Sequence, residues 1–219
     1  MNSTPHSPTA LPELAAHVSR LAPSCGPVRL VAVDGHAGSG KSTFAGLLAQ
    51  ELGGAPVLRL DDLATHEEFF GWTGRLREQV LAPFARSESA RYEPYDWHLR
   101  RFTHARTLEA APVVLIEGVG AGRRALRPSL ALLVWMDLDP EASWARGRRR
   151  DGAALSAFWD AWTRAETRHF ADDPSRPFAD ALVRQGTKGP KSYEWLTGPG
   201  ATRHTPHSLT QRDGLTPPC

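Results

Sequence analysis

Residues 35–42 restrict the fold of this chain more than any other part of the sequence. They read GHAGSGKS, fit the pattern G-x-x-x-x-G-K-[ST], and lie between the apolar run RLVAVD and a helical pattern. Glycines at this spacing let backbone N–H groups converge on phosphate oxygens, and the positive end of the following helix strengthens the attraction. The segment therefore predicts a strand, a phosphate-binding loop and a helix in direct succession.

The loop also predicts its ligands. Lys41 is expected to reach the β- and γ-phosphates of a nucleoside triphosphate, and the Ser42 hydroxyl is expected to ligate Mg²⁺. A GTPase is disfavoured, because the chain has no N-K-x-D segment to read guanine and no D-x-x-G after its third strand. We expect ATP and Mg²⁺ as cofactors, with the nucleotide held by Gly35, His36, Ala37, Gly38, Ser39, Gly40, Lys41, Ser42 and Thr43.

Short apolar runs alternate with helical patterns along the rest of the chain. This alternation is typical of a parallel sheet with helices on both of its faces. The apolar runs predict five strands, at residues 28–34, 56–60, 113–116, 130–137 and 179–183. The expected fold is an α/β three-layer sandwich of the P-loop NTPase type, with a parallel five-stranded sheet.

Two apolar stripes at helical spacing support this architecture. The first belongs to a helix that begins at the phosphate-binding loop and stops at Gly53, and it consists of Phe44, Leu47, Leu48 and Leu52. The second, whose simplest interpretation is core packing, consists of Leu155, Phe158, Trp159 and Trp162.

Composition favours one globular domain. The 219 residues are 41% hydrophobic and 23% charged, which suits a single domain with one sizeable core. We assign this domain to residues 11–185, with a short lid near residues 140–170. Residues 1–10 are rich in Ser, Thr and Pro, residues 186–219 in Gly, Pro, Thr and His, and both tails are expected to be disordered.

Charge and hydropathy restrict the partners. The formal net charge is only +2, from 26 basic and 24 acidic residues, so no overall field favours nucleic acid. No run approaches the roughly 18 apolar residues of a membrane-spanning helix. With two isolated cysteines, Cys25 and Cys219, the chain is expected to be cytoplasmic, with no nucleic-acid or membrane partner. The sequence leaves the oligomeric state open, a homodimer included.

Acidic residues follow two of the predicted strands. Asp61 and Asp62 end VLRLDD, and Glu117 lies in VVLIEG, at strand ends where open parallel sheets bind ligands. One aspartate is well placed to accept the proton of an alcohol, and the alternative is a helix N-cap or turn carboxylate. Glu117 could hold Mg²⁺ through water, face the acceptor, or be a solvated strand-end acid.

A run of arginines, Arg146, Arg148, Arg149 and Arg150, follows the fourth strand. Arginines that close over a transferred phosphate neutralise its charge in the transition state. Helical spacing spreads the four over more than one face, so at least two are expected to be solvated. An RNA-binding patch is a weaker alternative, because few aromatic residues are interleaved.

These motifs, taken in order, resemble one known family. GHAGSGKST, LDD, YDW, IEG and D-x-D-x(6)-R-x(3)-R-D are similar to the uridine kinase branch of the P-loop nucleoside kinases, a group that includes phosphoribulokinase and pantothenate kinase relatives. The similarity covers residues 28–184, and its strongest part after the loop runs from Asp137 to Asp151. The chain departs from the family where HLRRF and HEEFFGWTG replace its usual segments, and where a Trp-rich helix replaces R-G-R-D.

The resemblance assigns roles by position. Asp61 matches the family's catalytic aspartate, and Arg146 and Arg150 match lid arginines that approach the phosphates. Tyr95, Asp96 and Trp97 match a Y-D-F segment near the nucleoside. The predicted catalytic residues are thus Asp61, Lys41, Glu117, Arg146 and Arg150. The predicted substrate-binding residues are Asp62, Tyr95, Asp96 and Trp97, and the predicted metal-binding residues are Ser42 and Glu117.

The expected function is ATP-dependent transfer of the γ-phosphate to a small-molecule hydroxyl, with a nucleoside as the first candidate. Another acceptor is an alternative: a nucleotide, a pantothenate-like alcohol, a sugar or an antibiotic. A non-kinase regulatory module that binds ATP is the alternative from a different class.

Overall fold

The computed structural model describes residues 10–187 and 192–201, and its centre is a six-stranded sheet. The strands of the described residues are β1 (Arg29–Asp34), β2 (Val57–Arg59), β3 (Ala90–Tyr92), β4 (Tyr95–Asp96), β5 (Arg101–Phe102), β6 (Arg106–Leu108), β7 (Val113–Glu117), β8 (Leu132–Met136), β9 (Ala181–Gln185) and β10 (Tyr193–Thr197). The central sheet has the order β10-β9-β8-β1-β7-β2, and all neighbours are parallel except β10 and β9. The α/β parallel-sheet prediction is confirmed, and the number of strands is corrected from five to six.

The sixth strand, β10, lies in the segment 186–219 that composition predicts to be disordered. It pairs with β9, and the buried Tyr193 ring lies 5.1 Å from the Phe44 ring. Only three of its residues are apolar and its flanks are rich in Gly and Pro, so no periodic pattern predicts it. Pairing with an existing sheet edge stabilises such a strand. The tail prediction is therefore wrong for β10, and residues 1–9, 188–191 and 202–219 lie outside the described residues.

Helices cover both faces of the central sheet. They are α1 (Ala10–Arg20), α2 (Lys41–Glu51), α3 (Thr73–Leu76), α4 (Ala82–Ala85), α5 (Pro140–Asp151) and α6 (Ser156–Asp172), with a π-helical turn at Arg77–Leu81 between α3 and α4. In β1, Leu30 and Ala32 pack into a core cluster with α3 and α4, whereas Val31 and Val33 pack with α1 and α2. Successive side chains of a strand point to opposite faces, so a central strand buried on both faces is apolar throughout. The three-layer prediction is confirmed.

The carboxyl ends of four adjacent strands bring the candidate site residues to one edge. β1 leads into the phosphate-binding loop, β2 into a 3₁₀ turn at Leu60–Asp62, and β8 towards α5, while β7 ends at Glu117. The two short antiparallel pairs, β3 with β6 and β4 with β5, lie between β2 and β7 in the chain. No helix within the described ranges is long and apolar enough to cross a membrane.

Candidate functional site

Three glycines of the phosphate-binding loop have backbone conformations that other residues rarely adopt. Gly35, Gly38 and Gly40 have φ angles of 145°, 85° and 100°. A Cβ atom on Gly38 would lie 2.1 Å from the carbonyl oxygen of Ser143 in α5. The loop is therefore packed closely against α5, and any side chain at position 38 would push the two elements apart.

The first turn of α2 is suited to bind an anion. Gly40 is the N-cap residue and supplies no side-chain hydrogen bond to the first N–H groups of the helix. Lys41, only 8% exposed, donates from Nζ to the carbonyl oxygens of Gly35 and His36, both at 2.9 Å. A phosphate at this position would meet the positive end of the helix and a neighbouring ammonium group.

Ser42 and Glu117 lie together, as the metal prediction requires. Glu117 is buried, lines the same cleft as Ser42, and has its Oε1 atom 3.5 Å from Arg59 Nε. Burial raises the pKa of Glu117 above its ordinary value, although the positive charge of Lys41 acts in the opposite direction.

This pair of oxygen groups fits Mg²⁺, which prefers hard oxygen donors and keeps several of its waters. Across the part of the chain that the structure describes, no three His, Cys, Asp or Glu side chains group closely enough to hold a metal. The donor set therefore suits a metal that nucleotide phosphates complete rather than one caged by protein alone.

The two aspartates after β2 have different surroundings. Asp61 lines the cleft beside the loop, and its side chain is 51% exposed. Asp62 instead accepts a hydrogen bond from the Tyr92 hydroxyl at 3.3 Å and lies 3.8 Å from Arg106. Burial raises the pKa of Asp62. Of the pair, Asp61 is the one that a ligand in the cleft can reach.

In the predicted substrate-binding segment, Trp97 lines the cleft, whereas Tyr95 and Asp96 do not. Tyr95 is buried, and its hydroxyl lies 3.0 Å from His66 Nδ1. Asp96 accepts two backbone N–H bonds at 2.8 Å and so closes the turn that follows β4. Trp97 donates its indole N–H to the backbone oxygen of Asp61 at 3.1 Å, which fixes the ring against the cleft.

Two of the four arginines of α5 adjoin the phosphate-binding loop. Arg146 lies against the loop, because a Cβ atom on Gly40 would be 3.2 Å from its guanidinium. Arg150 lines the clefts on both sides of the loop. Arg148 forms an ion pair with an aspartate of α6 at 2.9 Å, and neither Arg148 nor Arg149 lines the two clefts at the loop. Arg146 and Arg150 are therefore the members of the run that adjoin the loop.

Asp137 and Asp139, two further acids of the segment that resembles the family, are bonded to other groups of the protein. Asp137 forms ion pairs with Arg176 at 2.8 Å and Arg184 at 2.6 Å, and the hydrogen bonds from these arginines hold its pKa below the ordinary value despite partial burial. Asp139 caps α5 by accepting two backbone N–H bonds from the first turn. Asp139 therefore fixes the start of α5, Asp137 links the end of β8 to Arg176 and to Arg184 of β9, and neither aspartate lines the two clefts at the loop.

Two clefts of similar size, about 230 and 240 Å³, meet at the loop and share Gly38, Lys41, Ser42 and Arg150. We call the first the aromatic cleft, because its lining includes Trp97, Phe158, Trp159 and Trp162 together with Arg59, Asp61 and Glu117. We call the second the polar cleft, and its other lining residues are Gly40, Thr43, Arg146 and Gly147. Lys41 therefore lines two clefts whose other lining residues differ in chemistry.

The three tryptophans of the aromatic cleft have their single polar atom already bonded to the protein. Their indole N–H groups donate, in chain order, to Asp61 O at 3.1 Å, Asp151 Oδ2 at 3.2 Å and Glu166 Oε2 at 2.7 Å. An indole has no other donor, so the parts of these rings that border the cleft are apolar. The cleft therefore suits a ligand that carries a flat or apolar group.

Sequence reasoning missed three charged residues at the site. Asp34 is fully buried at the end of β1 and accepts the N–H groups of Gly35, Gly120 and Gly122 at 2.7 to 2.9 Å. The sequence could have indicated Asp34, because it lies directly before the first glycine of the loop. Arg59, the one charge in the apolar run VLRL, lies between Asp61 and Glu117.

The third missed residue, Glu166 in α6, contacts the loop through His36 and Ala37. It lies far from the loop in the chain, and no motif or spacing marks it.

Solved structures provide the comparisons, since neither a protein-family model nor a curated protein matches this chain. A possible uridine kinase from Bacillus stearothermophilus has a TM-score of 0.50 and 19% identity, with 72% of this chain and 94% of that one covered. A protein described as a fructose transport system kinase from Silicibacter sp. TM1040 has a TM-score of 0.53 and 22% identity, with 72% and 88% covered. The protein YGR205w has a TM-score of 0.51 and 11% identity, with 85% and 94% covered. The chain therefore shares its α/β fold with these structures, in agreement with the three-layer architecture that its motifs predict.

Proposed function

We propose that the protein is an ATP-dependent small-molecule kinase that transfers the γ-phosphate to an alcohol, with a nucleoside as the first candidate acceptor. The observation that carries the proposal is the meeting of a polar and an aromatic cleft at Lys41 and Ser42. A regulatory module that only binds ATP needs the polar cleft alone. A kinase needs a second compartment from which a carboxylate can reach the acceptor hydroxyl.

In this proposal the polar cleft holds the nucleotide. Loop N–H groups and the first turn of α2 bind the phosphates, and Lys41 exchanges its bonds to loop carbonyls for bonds to phosphate oxygens. Ser42 and Glu117 would hold Mg²⁺, which would neutralise part of the phosphate charge. Arg146 adds a guanidinium from α5, beside the same turn.

The aromatic cleft holds the acceptor, and Asp61 is the proposed base. Its carboxylate accepts the hydroxyl proton while the acceptor oxygen forms a bond to the γ-phosphorus and the bond from phosphorus to the ADP oxygen breaks. Arg150, which lines both clefts, is placed to neutralise charge on the transferred group. The buried rings of Trp159 and Trp162 limit the entry of water that would hydrolyse ATP.

An alcohol acceptor is also consistent with the structural neighbours. The names of two of them refer to uridine and to fructose, and both compounds are alcohols. The aromatic cleft favours the acceptor with a flat ring, so we place a nucleoside before a sugar. A nucleotide, a pantothenate-like alcohol and an antibiotic are the other candidate acceptors.

The test is a mass-spectrometric screen of mixed nucleosides and small alcohols, incubated with the protein, ATP and Mg²⁺. We expect one acceptor class to become heavier by one phosphate, and we expect Asp61→Asn to form about a hundredfold less of this product per unit time under the same conditions. Tight nucleotide binding without stimulation of ATP turnover by any acceptor would instead support the regulatory module. Steeply salt-dependent RNA binding would contradict the proposal of a small-molecule partner.

A further inference from the structure

A buried carboxylate links the helix behind the aromatic cleft to the phosphate-binding loop. Glu166 lies in α6, is fully buried, and lines neither of the two clefts. Its four hydrogen-bond partners are His36 Nδ1 at 2.7 Å, Ala37 N at 3.2 Å, Trp144 Nε1 at 3.0 Å and Trp162 Nε1 at 2.7 Å. These partners belong to the loop, to α5 and to α6, so one side chain joins three elements.

Such a carboxylate is costly to bury unless its oxygens are bonded, and here both oxygens are. Burial alone would raise the pKa of Glu166, but the hydrogen bond from His36 and the charge of Lys41 outweigh it and hold the pKa below its ordinary value. The ionised form is therefore the one that this pocket of donors stabilises.

The contacts at the loop bear on the lysine. Glu166 holds the side chain of His36 and the N–H of Ala37, and the carbonyl oxygen of His36 accepts a hydrogen bond from Lys41 Nζ at 2.9 Å. The peptide between His36 and Ala37 is thus fixed from one side by Glu166 and bonded on the other by Lys41. A change in the orientation of this peptide would move the carbonyl group that orients the lysine.

We propose that Glu166 is a positioning residue, which holds the first half of the phosphate-binding loop in the conformation that binds nucleotide. It acts through His36 and Ala37 and contacts no reacting atom. The inference rests on the proposed function only in that the loop binds ATP, and it does not depend on which acceptor is phosphorylated.

Glu166→Gln tests the proposal with little change in side-chain volume. The amide places its own N–H donors against donors of the pocket, so the variant cannot bond both loop groups and both indoles. We expect the Kd for the magnesium complex of a non-hydrolysable ATP analogue to rise about tenfold, a loss comparable to one charged hydrogen bond. Thermal unfolding and circular dichroism identify the temperature range in which the variant is fully folded.

Asp160→Asn is the matched control, because Asp160 is an exposed acid of the same helix whose side chain bonds Arg148. We expect its nucleotide Kd to stay within about twofold of the wild-type value. His36→Asn removes the contact between Glu166 and the loop from the loop side. It replaces Glu166→Gln as the test if that variant does not fold. The double variant should lose no more affinity than the weaker-binding single variant, since both changes remove one link.

Either of two results overturns the inference: a folded Glu166→Gln that binds the analogue as tightly as wild type, or losses in the double variant that simply add. A lower unfolding temperature with unchanged Kd would assign Glu166 to fold stability alone. Failure of the proposed function gives a different result, in which the wild-type protein binds the analogue but transfers phosphate to no acceptor.

Discussion

The two clefts that share Lys41 and Ser42 are built in different ways. The polar cleft is formed mainly by a contiguous stretch, residues 38–43, with one turn of α5 opposite it. The aromatic cleft combines side chains from the ends of β2 and β7, from the segment after β4, and from α5 and α6. The first is formed by one loop with the helix turns beside it, and the second by side chains from distant parts of the chain.

This difference has a consequence for specificity. Backbone N–H groups bind phosphate regardless of the molecule attached to it, so the polar cleft can stay the same in kinases with many acceptors. In the proposed function the rings of the aromatic cleft contact the acceptor itself, so changes there should alter which alcohol enters. Substitutions in the two clefts should therefore separate effects on the nucleotide from effects on the acceptor.

Lys41→Ala should have the largest effect, because Lys41 belongs to both clefts. We expect phosphoryl transfer to fall by about a thousandfold, since the variant lacks the ammonium that stabilises phosphate charge. Product formation at saturating ATP measures the loss, and an unchanged unfolding temperature shows that the fold is intact. Transfer at the wild-type rate would contradict the roles proposed for both clefts.

Asp61→Asn should affect the acceptor side alone. We expect kcat to fall by about a hundredfold, because the amide cannot accept the hydroxyl proton, and the Kd for ATP to change little. Asp62→Asn is the matched control, since Asp62 is bonded to Tyr92 instead of facing the cleft. If the Asp62 variant loses kcat and the Asp61 variant does not, the base has been assigned to the wrong aspartate.

Glu117→Gln should weaken the metal-dependent part of nucleotide binding by about ten- to a hundredfold. Because the pKa of Glu117 is raised, its contribution to stability is present at low pH and is lost as pH rises through that pKa. Mg²⁺ requires the ionised carboxylate, so the Mg²⁺ dependence of wild-type nucleotide affinity should strengthen over the same rise in pH. Mg²⁺ titrations at several pH values measure this, and an identical pH dependence in the Gln variant would remove Glu117 from the site.

Trp97→Ala should have the smallest of the four effects. We expect the KM for the acceptor to rise about tenfold, because an aromatic contact contributes about 0.5 to 1.5 kcal/mol beyond its buried area, while the KM for ATP stays constant. Leu99→Ala is the control, since Leu99 is a 58% exposed side chain of the same segment. Equal rises in both KM values would show that Trp97 supports the whole site rather than the acceptor.

The difference between a site formed by one local stretch and a site formed by distant segments also explains which site residues were predictable. The loop, Asp61, Glu117 and the α5 arginines follow strand ends, and parallel strands place their carboxyl ends at one edge whatever the remaining sequence is. Tyr95, Asp96 and Trp97 form one motif, yet only Trp97 lines the cleft. Adjacent residues of an extended segment point in different directions, and a motif does not state which direction faces the ligand.

Two other features, strand β10 and the contact of Glu166 with the loop, are not indicated by any pattern in the sequence. β10 forms because β9 offers an unpaired edge, and the sequence of residues 193–197 does not by itself indicate that edge. Glu166 reaches the loop because α6 packs across it, and the indole groups of Trp144 and Trp162 complete its bonds. Both depend on contacts between segments far apart in the chain.

The sequence by itself determined the phosphate-binding loop, since its glycines adopt positive φ angles that follow from having no Cβ atom. It also determined the parallel α/β architecture, because the alternation of apolar strands and amphipathic helices permits few other arrangements. Only the tertiary structure decided which aspartate faces the cleft, which aromatic rings form its wall, and which acid holds the loop. Those choices depend on how separate segments pack, and packing is a property of the whole chain that no local pattern contains.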